Sequence, residues 1–122
     1  MKKLIVFCLI ALTLSCNNND DPGDIITNCT EVFVFGLSIQ VRDANTGAII
    51  VQNITVTAVD GDYTEELAFN FDTFVGAGER AGTYILTVEA EGYQTLVTDP
   101  IAVGADECHV ITQTRNLTIQ PN

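Results

Sequence analysis

The sequence predicts an all-β domain, a Greek-key β-sandwich of about seven strands, and three observations carry that prediction. Apolar and polar residues alternate at period two in one short segment after another. Turn-forming residues interrupt those segments about every 8 to 12 residues. From residue 31 onward no apolar stripe at helical spacing lasts beyond a turn or two.

The first strand is predicted over residues 31–42, with Phe33, Phe35, Leu37, Ile39 and Val41 on the core side and Ser38, Gln40 and Arg42 opposite. It ends at 43–47 (Asp-Ala-Asn-Thr-Gly), where Asp43 can accept backbone N–H bonds and Gly47 can take the left-handed conformation. Asp43 and Asn45 faintly resemble the first ligands of a calcium loop, but no second carboxylate cluster follows at the required spacing. The second strand, about 50–59, turns Ile54, Val56 and Ala58 inward, and Asp60-Gly61-Asp62 closes it. A third strand is predicted from Tyr63 to Phe71, with Tyr63, Leu67, Phe69 and Phe71 on one face and Glu65 near its exposed start.

Residues 72–81 are the least regular and read as a bent crossover. Their Gly76-Ala77-Gly78 run neither follows the Walker spacing nor opens onto a helix, so it is not a phosphate loop. Residues 82–93 (Gly-Thr-Tyr-Ile-Leu-Thr-Val-Glu-Ala-Glu-Gly-Tyr) form the plainest strand, with Tyr84, Leu86, Val88 and Ala90 inward and a turn-permitting glycine at each end. Another strand covers 93–98. Asp99-Pro100 interrupts it, because proline has no N–H for the ladder, and 101–103 resumes pairing. The last strand is predicted over 108–119.

Ahead of this domain, Met1-Lys2-Lys3 is a positive n-region and residues 4–14 are apolar but too short to span a bilayer. Ser15 precedes Cys16, and a polar Asn/Asp-rich run follows. This arrangement resembles the lipobox of bacterial lipoproteins. The resemblance implies a signal peptide over 1–15, lipidation of Cys16 and anchoring to the outer membrane of a bacterial cell envelope. The Asn/Asp-rich run is also similar to acidic tethers that send lipoproteins to the outer face of that membrane. With almost nothing to bury, 16–28 reads as a flexible tether and 29–122 as the sandwich domain.

Cys8 leaves with the signal and Cys16 takes the lipid, so Cys29 and Cys108 remain as an even pair in an oxidising setting, and a disulfide between them is predicted. Loss of Lys2 and Lys3 leaves Arg42, Arg80 and Arg115 against sixteen acidic residues, a net charge of −13. A field of that sign repels phosphate backbones, which excludes a nucleic-acid partner. The predicted partners are a membrane, through the N-terminal lipid, and a protein. A glycan is less favoured, because a sugar site wants an aromatic platform and the chain has no tryptophan.

Catalytic parts are scarce. After residue 16 there is one histidine, His109, and one serine, Ser38, and neither sits in a nucleophile motif. One imidazole does not make a zinc site. Asp60, Asp62, Glu65, Glu66 and Asp72 form an acidic neighbourhood that could serve Ca²⁺, though a solvated strand edge accounts for it as well. No catalytic or metal-binding residue is assigned, no cofactor is expected and the chain is predicted not to be an enzyme. The alternative is a small Ca²⁺-binding or hydrolytic protein built on the acidic loops.

The 82–93 segment, together with Leu37-x-Ile-x-Val-x-Asp-x-x-Thr-Gly47 and Ile54-x-Val56, resembles the carboxypeptidase regulatory-like domains, which are transthyretin (prealbumin)-like seven-stranded sandwiches. The resemblance runs over about residues 34–119 and implies a fold rather than an active site, since its motifs are turn and core residues. It carries no catalytic residue to this chain.

Overall fold

The computed structural model describes residues 28–122. The predicted signal peptide, Cys16 and the tether up to residue 27 lie outside the described residues. Nine strands and no helix follow. They form two sheets with the apolar core between them, a β-sandwich.

The first sheet has the order β4-β5-β1-β9. It contains β1 (Phe35–Asp43), β4 (Ala68–Asn70), β5 (Thr73–Gly78) and β9 (Gln113–Ile119). β1 runs antiparallel to β5 and parallel to β9, so the first and last strands of the domain lie side by side. The second sheet has the order β3-β2-β6-β7 and contains β2 (Ile54–Asp60), β3 (Tyr63–Glu66), β6 (Gly82–Ala90) and β7 (Leu96–Val97). β8 (Ile101–Val103) pairs with the start of β6, and β7 pairs further along it. Asp99-Pro100 falls in the gap between β7 and β8, as the missing proline N–H requires.

Leu37, Ile39 and Val41 of β1 face Val56 and Ala58 of β2 and Tyr84, Leu86 and Val88 of β6 across the core, all fully buried. The period-two reading of 82–90 therefore describes the observed central strand of the second sheet. The turn at 43–47 is also as expected: Asp43 Oδ1 accepts the N–H groups of Asn45 and Thr46 at 2.7 and 2.9 Å, and Gly47 has φ +80°.

Five expectations are corrected. The third strand does not run through to Phe71. It breaks at the buried Leu67, where the chain leaves β3 in one sheet for β4 in the other. A sheet change resets which face is inward, so Phe69 and Phe71, expected in the core, are 47% and 90% exposed. Glu65, expected to be exposed, is part-buried. The crossover expected at 72–81 contains β5, a central strand with Phe74, Val75 and Ala77 buried. Its glycines serve close approach: a Cβ on Gly76 would collide with Leu67 and Glu65, and one on Gly78 with the ring of Phe33. Gly82 has no positive φ; the left-handed residues of that turn are Ala77 and Glu79. Finally, the last strand begins at Gln113, because 108–112 is held as a loop by Asp106, whose Oδ1 accepts the N–H groups of Cys108 and His109 at 2.8 Å each.

Strand register sorts the loops to two poles. The chain enters at the pole that holds Cys29, the 60–62 turn, Glu79, Arg80 and the 104–110 loop. The opposite pole holds the 43–47 loop, the Phe71-Asp72 turn, Tyr93 and the C-terminus, tied by Gln40–Asp72 and Tyr93–Asp43 hydrogen bonds and by Gln94 N–H to Gln120 C=O.

Candidate functional site

The densest set of chemistry-bearing side chains is at the entry pole. Cys29 and Cys108 are joined as a disulfide, with Cα atoms 5.2 Å apart. A bridge between these two positions brings the next residue of each segment together as well. His109 Nε2 lies 3.1 Å from Thr30 Oγ1, and His109 Nδ1 lies 2.7 Å from Glu79 Oε2. Carboxylate, imidazole and hydroxyl thus stand in line.

Glu79 is also a fastener. Its Oε2 accepts the Val34 N–H at 2.9 Å and its Oε1 the Val110 N–H at 3.3 Å, while its own N–H donates to the Val34 carbonyl. Desolvation pushes the Glu79 carboxyl up, but the Val34 N–H, His109 and the Val110 N–H together outweigh it and hold the carboxyl below its ordinary value. Asp106 is likewise lowered, by the His109 and Cys108 N–H groups. Glu79 adopts φ +49°, a left-handed conformation costly for a residue with a Cβ, so the surrounding bonds fix it there.

Beside this network, Arg80 lies 3.7 Å over the ring of Tyr63, donates to Asp60 Oδ2 at 3.0 Å and donates to the Tyr84 hydroxyl at 2.9 Å. The Tyr84 hydroxyl in turn donates to the Arg80 carbonyl at 2.7 Å. The hydrogen bond that the Arg80 guanidinium donates to the Tyr84 hydroxyl is the main cause that raises the Arg80 pKa.

The acidic neighbourhood read from the sequence is dispersed. Asp60 pairs with Arg80. Glu65 Oε1 accepts the Tyr63 hydroxyl and the Ala77 N–H, at 2.8 and 2.9 Å, bridging β3 to β5 across the two sheets. Asp72 accepts from Gln40 at the opposite pole. Among the described residues no group of three or more His, Cys, Asp and Glu converges as a metal site. Ser38 lies within β1 opposite Val75 and Thr114, and the hydroxyl beside His109 belongs to Thr30.

Thr30 and Glu79 are not readable from motif spacing. Thr30 becomes readable once the disulfide is drawn, since 30 must then lie near 109. Glu79 carries no such cue, because nothing in the sequence shows that its turn abuts the 108–110 loop.

The outer surface keeps several large apolar side chains: Val32 and Phe33, both more than half exposed, Phe69 and Phe71, and Val97. Phe33 and Phe35 meet edge to face at 5.2 Å, and Phe33 covers Gly78. No protein-family model matches the chain, and no curated protein matches it at a significant level.

Proposed function

We propose that this chain is a lipid-anchored interaction module of the bacterial cell envelope, a non-catalytic, carboxypeptidase regulatory-like Greek-key sandwich that presents its surface to a protein partner. The lipobox-like Ser15-Cys16 and the tether composition support the anchor. The side-by-side first and last strands of a two-sheet sandwich are compatible with the transthyretin-like arrangement. One observation carries the functional reading: large aromatic side chains stay outside a core that is already closed, while the polar side chains that could do chemistry are spent on holding loops. Exposed aromatic side chains on a folded domain are the kind of anchor an interface uses.

The test is carbodiimide crosslinking of this chain's carboxylates to amines of its neighbours in intact cells, followed by affinity purification of the full-length protein. A reproducible protein partner in comparable amount is the expected result. Recovery of no partner, together with heat and thermal stabilisation on titrating Ca²⁺ into the domain, would favour the acidic-loop alternative instead.

A second reading is favoured by one observation, the Glu79–His109–Thr30 line, which has the form of a relay that activates a hydroxyl. Against it, among the described residues no cavity is enclosed beside Thr30 to hold a substrate. Labelling with a fluorophosphonate decides: modification of Thr30, abolished by His109→Ala, would establish that reading, and an unlabelled chain would remove it.

A further inference from the structure

We infer that the β4–β5 hairpin is an aromatic anchor, with Phe71 inserted into an apolar socket, rimmed by Lys and Arg, on a protein partner. The inference rests on the interaction-module reading and names the surface and chemistry of the partner.

Two independent features set Phe71 apart. It is 90% exposed, the most exposed large apolar side chain of the domain. It also has φ +64°, in a two-residue turn between the paired Asn70 and Thr73. Only the first of the two central residues, Phe71 and Asp72, has positive φ, the pattern of a type II′ turn, whose first central position belongs to glycine. Folding is served by neither feature. A glycine there would relieve the backbone and remove the exposed ring together. Phe69, two residues back on β4, is half exposed and rests at 5.3 Å on the buried ring of Phe74. The turn is therefore a short, seated finger with one ring at its tip and a second behind it. Aromatic rings held this way are typical anchors of protein interfaces.

Charge and position choose the occupant. Asp72 adjoins the ring, and the described residues carry thirteen acidic side chains against three arginines, with no lysine. A socket for this tip is rimmed by positive charge, whereas an anionic lipid surface repels it. The finger is also at the pole opposite Cys29, where the tether joins. β1 alone puts about 27 Å between the poles. A chain anchored ahead of Cys29 by a flexible tether leaves the finger free to face away from its own membrane.

The experiment uses the full-length protein in cells of its source, with p-benzoylphenylalanine placed by Phe71→p-benzoylphenylalanine and, as a control on the other sheet, Ile85→p-benzoylphenylalanine. Ile85 is exposed on β6. The expected result is one protein adduct from position 71 and none from position 85, with the adducted partner peptide apolar and flanked by Lys or Arg. Adducts with lipid only, with a second copy of this chain, equally from both positions, or none from position 71 overturn the inference. A companion measurement is the melting temperature of Phe71→Gly, expected to stay level or rise; a fall of several degrees would show that the ring holds the fold and overturn its role as a displayed anchor. Whole-surface crosslinking separates the two levels. If it returns a partner while position 71 gives no adduct, the module reading stands and the finger falls; if neither returns a partner, both fall.

Discussion

Removing the disulfide should weaken the domain far more than the contacts it touches suggest. Cys29 and Cys108 are 79 residues apart in sequence, so the bridge closes most of the domain into one loop. The chain-entropy relation gives about 4.5 kcal/mol for a loop of that length. The local bonds of the same pole, Thr30 to His109 and Glu79 to Val34 and Val110, do not depend on the sulfurs and should survive in the native state. The loss is therefore expected in the unfolded ensemble. With an unfolding entropy of about 2.1 cal/mol/K per residue, a domain of this size should melt roughly 20 °C lower. The assay is guanidinium unfolding and calorimetry of the 28–122 domain against Cys29→Ala/Cys108→Ala. The denaturant slope should also steepen in the variant, because an uncrosslinked chain exposes more surface. A loss below about 1 kcal/mol with an unchanged slope would refute the argument.

Three further outcomes follow from other parts of the fold. Gly76→Ala should destabilise by about 1 to 3 kcal/mol in urea unfolding, because the new methyl collides with Leu67 and Glu65 at the sheet junction; a neutral result would contradict the packing of β5. Tyr84→Phe keeps the buried ring but removes the donor to the Arg80 carbonyl, and should cost about 1 kcal/mol, with Arg80 still able to reach water; a cost near zero would show that the hydroxyl is not used. Asp43, Glu79 and Asp106 all have carboxyl pKa values below their ordinary ones: Asp43 through the Tyr93 hydroxyl and the Thr46 N–H, Glu79 and Asp106 through the bonds described above. Their stabilisation is present above the unfolded-state values near pH 4 and is lost as pH falls through the lower folded-state values. The urea midpoint of the wild type should therefore drop below about pH 4, and Asp43→Asn should be weaker at pH 7 with a shallower acid decline; parallel profiles would contradict the role of Asp43.

Much of the fold was legible because alternation reports burial directly wherever a strand keeps one face on one core. Residues 37–41 and 84–88 do so, and their buried side chains match the pattern. The reading fails at Leu67 because period two assumes a single sheet, and a chain that changes sheets resets its faces without altering its composition. It fails again at β5 because Gly76 and Gly78 look like loop residues when their actual use is to let Leu67, Glu65 and Phe33 come close. Those contacts are long-range and leave no local trace. At the candidate site the cysteine pair was legible from counting, and Thr30 beside His109 follows from it. Glu79 was not, since its partners come from segments 45 and 30 residues away. Phe71 looked like a core residue for the same reason that β3 and β4 looked like one strand.

The central claim is that this sandwich works while tethered to a membrane, and the composition of its N-terminus tests that most directly. Intact mass spectrometry of the protein extracted from its source cells, beside Cys16→Ser, is the measurement. The account predicts a chain that begins at Cys16 and carries acyl chains, with the variant unlipidated and released from the membrane fraction. A mature chain beginning elsewhere, or an unmodified Cys16 thiol in a protein that washes off membranes, would contradict it.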